Sequence, residues 1–131
     1  MRLLFTSTAG AGHFGPLAPF IRSCVRGGHE AMVAAPAALA STVAATGAAF
    51  WSVDDPPQER LAAVFGRLDR LSHEEANALI IGEVFARLDA GAALPKLREI
   101  VGSWQPDFVI RESAEFGGAV AAELHGVPHV R

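Results

Sequence analysis

The stretch TSTAGAGHFGPLAP, Thr6 to Pro19, decides how this chain folds. It lies between an apolar opening, Met1 to Phe5, and an amphipathic run, Leu17 to Val25. A hydrophobic strand that breaks into glycines and restarts with helical spacing predicts the strand, loop, helix unit of a nucleotide-binding α/β domain. The loop then sits at the strand's C-terminal edge, where ligands bind. Within it, His13 is the only side chain that titrates near neutrality, and its small neighbours permit close approach by another molecule.

Working outward, Arg2 to Thr8 reads as a buried parallel strand. Pro16 opens a helix at its first position and Gly27-Gly28 ends it. Glu30 to Ala35 reads as a second strand, Pro36 to about Ala45 as a helix, and Ala48 to Val53 as a third strand. Right-handed crossovers place the first strand centrally and the other two to one side. Asp54-Asp55-Pro56-Pro57 is a strong turn, and from Gln58 to Trp104 no strand pattern appears. Helices are predicted over Gln58 to Leu71, from a Ser72/Glu75 capping box to about Leu88, and over Leu94 to Trp104. Asp107 to Arg111 is a fourth strand, Glu112 to Phe116 a loop, Gly117 to His125 a helix stopped by Gly126, and Val127 to Val130 a fifth strand. The expectation is α/β, a doubly wound parallel sheet of Rossmann-like type with a helical insertion after the third strand. The residues 1–131 then make one domain.

Bulk properties narrow the partners. With 131 residues, half of them apolar, the chain can bury one core. A net charge of −3 and no basic cluster give little to bind a phosphate backbone, so nucleic acid is a poor partner. The single cysteine, Cys24, cannot form an internal disulfide, which fits a cytoplasmic location. No apolar run reaches membrane-spanning length.

The glycines spell G-x-G-x-x-G at Gly10, Gly12 and Gly15, which raises a nicotinamide or flavin site and hence an NAD(P)-dependent oxidoreductase. That site needs an acid or arginine at the end of the second strand, where this chain has Ala34-Ala35-Pro36. No Walker lysine follows the loop, no His or Cys set has zinc spacing, and Ser7 and Ser113 lack a nucleophile elbow. In a doubly wound sheet the fourth strand lies on the other side of the first, so the loop after Arg111 faces the loop after Thr8. Glu112 opens that loop. Its carboxylate can orient one imidazole nitrogen of His13 and leave the other basic, aimed at a substrate hydroxyl. Taken singly, His13 also reads as a structural histidine and Glu112 as a helix-terminal acid, a role Glu115 suits better.

With Gly-His-Phe-Gly-Pro at 12 to 16, Gly-Gly-His-Glu at 27 to 30, Pro-Asp-Phe-Val-Ile-Arg-Glu-Ser-Ala-Glu-Phe at 106 to 116 and Gly-Val-Pro-His at 126 to 129, the chain resembles the N-terminal domain of GT-B glycosyltransferases, in particular the macrolide and enediyne type that decorate bacterial natural products. The resemblance implies inverting transfer of a sugar, of the hexosyltransferase type, from a nucleotide-sugar co-substrate to a hydroxyl of a small apolar acceptor, with no further cofactor or metal. His13 matches the family's catalytic base. Glu112 stands where the family usually has an aspartate orienting that base, one methylene longer here. Gly10, Ala11 and Gly12 match the loop against the donor diphosphate, and Trp51, Phe65 and Phe85 fall in the acceptor region. The family's second, donor-binding domain is absent from the sequence, so the resemblance implies a fragment, or half of an enzyme completed by a separate domain or subunit, inactive alone. A non-catalytic binding module of the same fold is the alternative.

Overall fold

Five strands lie parallel in the order β3-β2-β1-β4-β5. They are β1 (Arg2–Thr6), β2 (Glu30–Pro36), β3 (Ala49–Val53), β4 (Phe108–Arg111) and β5 (His129–Val130). The computed structural model describes all residues, 1–131. This is the doubly wound sheet predicted from the sequence. It follows from the apolar runs of the strands, which suit burial on both faces, and from right-handed crossovers. Alternation along each strand feeds two cores. Leu3 and Phe5 of β1 join Val33 and Ala35 of β2 on one face, under Ile21 of α2 (Ala18–Arg26) and Val43 of α3 (Ala40–Ala44). Leu4, Ala34 and Val109 face the other way, onto Leu97 and Val101 of α6 (Ala90–Trp104) and Ala121 and Ala122 of α7 (Gly117–His125).

Boundaries shift where backbone donors decide them. β1 ends at Thr6 rather than Thr8, although Ser7 and Thr8 stay buried. The loop read at Gly10 to Gly15 contains one helical turn, α1 (Ala11–Phe14), and α2 starts at Ala18 with Pro19 in its first turn, two residues after the predicted Pro16 start. Pro36 closes β2 instead of opening a helix; a 3₁₀ turn (Ala37–Leu39) intervenes before α3. β5 is two residues shorter than predicted, because Pro128 has no N–H for the ladder and supplies only its carbonyl, to Val109.

The insertion differs most from expectation. α4 (Gln58–Phe65) stops at Gly66, and a single 3₁₀ turn (Leu68–Arg70) leads to Ser72. Ser72 forms the predicted capping box, its Oγ accepting from Glu75 N–H while the Glu75 carboxylate accepts from Ser72 N–H. From there the backbone is helical without a break through α5 (His73–Leu79), a π-helical segment (Ile80–Asp89) and α6. The predicted gap between Leu88 and Leu94 is absent. Its residues, Asp89-Ala90-Gly91-Ala92-Ala93, are mostly alanine, which propagates a helix, and a lone glycine does not stop one. Val64, Val84 and Leu88 pack as a separate small core that holds α4 against the π-helical segment.

Candidate active site

β1 delivers the central loop. Gly10 turns the chain at φ +105°, a conformation that side chains with a Cβ rarely adopt, and its carbonyl accepts from the N–H groups of His13 and Phe14. Phe14 is buried in the core below α2 and anchors the turn. His13 is left partly open to solvent at the C-terminal edge of the sheet.

β4 delivers the facing loop. Arg111 pairs with Thr6, and Glu112 N–H continues that ladder onto the Thr6 carbonyl at 2.9 Å. Glu112 therefore leaves the sheet level with the start of the His13 loop. Its Oε1 accepts from Ser113 Oγ and Ala114 N–H, both at 3.0 Å. Its Oε2 lies 3.1 Å from His13 Nδ1, so the two residues predicted to pair do meet. The distance is that of an ion pair, but the ring N–H is not directed along the line to the oxygen, and Oε2 is buried without an aligned donor. Such contacts commonly tighten only once substrate is bound.

The loop from 112 to 116 is held from behind. Arg111 Nη1 donates to the carbonyls of Ser113 at 3.3 Å and Glu115 at 3.1 Å, and its guanidinium lies over the Phe116 ring. Glu115 is buried, accepting from Thr6 Oγ1 at 2.5 Å and from Gly118 N–H at 2.9 Å at the start of α7. Burial raises its carboxyl above the usual range, against the pull of those hydrogen bonds. Glu115 is thus the helix-terminal acid, and Glu112 is free to face His13.

Beside His13 lies a cleft of about 280 Å³ whose apolar wall is Leu61, Phe65, Ile80, Val84 and Phe85. The Phe85 ring meets the imidazole edge-on, with centroids 5.2 Å apart and planes at 69°. Two of the three aromatic residues expected in the acceptor region, Phe65 and Phe85, therefore line the same cleft as His13. Trp51 does not: it packs against the core of Leu4, Ala34 and Val53, with its indole N–H buried and unpartnered. Gly10, Ala11 and Gly12 are exposed immediately beside His13. No three His, Cys, Asp or Glu side chains converge in a metal-ligating arrangement.

Sequence reasoning missed two residues. Asp55 and Asp89 complete the cleft wall. Asp89 is pushed up to about 6, first by burial and then by the neighbouring charges of Asp55 and Glu115, with His13 pulling the other way. Burial, followed by Asp54, raises Asp55 as well. Asp55 carries only a turn signal in the sequence and Asp89 only a helical one, so nothing local brings them together.

The fold agrees with what known proteins show. A family model described as Erythromycin biosynthesis protein CIII-like, N-terminal domain, matches residues 24–131. The chain is 36% identical to the L-demethylnoviosyl transferase of Streptomyces niveus and 30% identical to the 10-deoxymethynolide desosaminyltransferase of Streptomyces venezuelae. All of the chain aligns in both cases, spanning 34% and 35% of the two relatives. The solved structure of the glycosyltransferase SsfS6 of Streptomyces sp. SF2575, complexed with thymidine diphosphate, superposes with a TM-score of 0.79 at 26% identity, covering 98% of this chain and 37% of that one. With a parallel sheet of the order described and a family match across most of its length, the chain belongs to the Erythromycin biosynthesis protein CIII-like N-terminal domain family of natural-product glycosyltransferases.

Proposed function

We propose that this chain is the acceptor-binding, base-supplying half of an inverting glycosyltransferase. The observation that carries the reading is the His13–Glu112 pair standing at the mouth of an apolar cleft. An apolar acceptor lies against Phe65 and Phe85 with one hydroxyl toward Nε2 of His13. As that oxygen attacks the anomeric carbon of the donor sugar, Nε2 takes its proton. The bond to the nucleoside diphosphate breaks on the opposite face, and the diphosphate leaves with the bonding pair. Glu112 holds Nδ1–H and stabilises the imidazolium that forms. The exposed backbone at Gly10 to Gly12 lies against the donor diphosphate, in keeping with the thymidine diphosphate held by SsfS6. The remaining donor contacts come from a further domain or subunit, so the chain alone binds acceptor and does not turn over.

Calorimetric titration of the chain with TDP-glucose and, separately, with an apolar ring alcohol such as 2-naphthol tests this. Acceptor binding in the absence of tight donor binding is the expected result. The unaligned His13–Glu112 contact favours one second reading, a binding module that keeps the cleft without using the base. In that case replacing His13 leaves acceptor affinity and any assisted transfer unchanged.

A further inference from the structure

At its inner end the cleft runs into a lesser space of about 10 Å³, the two sharing Ala9, Asp55, Pro56 and Asp89 as lining. That is room for one water-sized group. Thr8 lines the lesser space, is only 6% exposed, and its Oγ1 has no hydrogen-bond partner in the protein. A buried hydroxyl left in this state is costly, so the fold leaves it a partner to be supplied from outside. Of the four carboxylates around it, Glu115 already accepts from Thr6 and Gly118, and Asp54, Asp55 and Asp89 pair with no Lys or Arg. The surroundings therefore offer acceptors in excess and almost no donors.

On the reading of the cleft as an acceptor site, we infer that its inner end selects acceptors bearing a small hydrogen-bond-donating group, which seats between Thr8 Oγ1 and the carboxylates of Asp55 and Asp89. The apolar wall then takes the ring system of the acceptor and this polar end fixes which way round it lies, so that a hydroxyl elsewhere on the ring meets His13. A hydroxymethyl arm donates to a carboxylate and accepts from Thr8; a protonated aminomethyl arm donates to both. The raised carboxyl of Asp89, ionised above about 6, is consistent with a site awaiting a donor.

The test uses three ring alcohols differing only in one arm: 6-methyl-, 6-hydroxymethyl- and 6-aminomethyl-2-naphthol, titrated into the 131-residue chain by following naphthol fluorescence. At about pH 7.5 one or both donor-bearing compounds bind about tenfold tighter than the methyl compound, the worth of one hydrogen bond to a charged group. Thr8→Val, which keeps the shape, and Asp89→Asn both bring that ratio toward one. Preference for the hydroxymethyl arm alone marks a neutral donor, and for the aminomethyl arm a cation. If the methyl compound binds as well as the others, or if the preference survives both substitutions, the inference is wrong while the acceptor site stands. If none of the three binds, the acceptor site itself is wrong and this inference falls with it.

Discussion

At the scale of single residues, the site turns on one carboxylate being held and another being left free to work. Glu115 is consumed by Thr6 and the start of α7, whereas Glu112 has one oxygen fixed by its own loop and the other beside His13. Removing the charge of Glu112 without changing its size, as Glu112→Gln, takes away stabilisation that matters when the imidazole is protonated. Turnover in the assembled enzyme is expected to fall about 10- to 100-fold, as for loss of a hydrogen bond to a charged group, with KM for the acceptor little changed. Steady-state kinetics in both substrates checks the split. The pairing itself was legible in the sequence, because strand order alone puts the residue after Arg111 opposite the loop after Thr8. The missing alignment of the N–H was foreshadowed only by the extra methylene of glutamate. Trp51 shows the limit of such reading. An aromatic residue on the edge strand β3 still has two sheet faces to choose from, and this one went to the core.

At the scale of elements, the starts of α1 and α7 and the middle of the insertion position the chemistry. α7 begins with Gly117-Gly118 because the Glu115 carboxylate occupies the space a side chain would need. A Cβ on Gly118 would stand 2.5 Å from both Glu115 Oε2 and Thr6 Oγ1. Gly118→Ala must displace that buried pair, and a loss of about 1–3 kcal/mol in urea unfolding is expected, as for other overpacked sites. A variant as stable as the parent contradicts this account of the helix start. In the insertion, capping chemistry was readable at Ser72 and Glu75, since both partners lie within one turn. The π-helical run that follows was not readable. Its wider hydrogen-bond spacing occurs where the segment packs against α4, and sequence periodicity does not separate 3.6 residues per turn from a local excess. That run is also what sets Phe85 edge-on against His13, so the least legible element is the one that shapes the cleft.

At the scale of the whole molecule, the fold was the most legible feature. Apolar strands, glycine stops and right-handed crossovers each constrain it independently and agree. The cleft was less so, because Asp55 and Asp89 are brought together only by the fold. Their burial has a consequence for stability as a function of pH. Asp89 is raised from 3.8 in the unfolded chain to about 6 in the folded one. Between those values the folded state holds a proton that the unfolded state has released. The contribution is therefore full below 3.8 and is lost as pH rises through 6. Asp89→Asn is expected to be more stable than the parent near neutral pH by about 1 kcal/mol, allowing for solvent screening of a half-buried group. The gain should vanish by about pH 4, as urea melts at the two pH values would read it. A gain that is the same at both would contradict the assigned cause.

The central claim is that His13 takes the acceptor proton. It is tested most directly by measuring sugar transfer from a TDP-sugar to a ring alcohol with His13→Ala, the donor-binding part of the enzyme being supplied, and acceptor affinity measured alongside. The account predicts a fall in kcat of about 10²- to 10⁴-fold, the range for a lost general base, with acceptor affinity nearly intact. Turnover equal to that of the parent would contradict it.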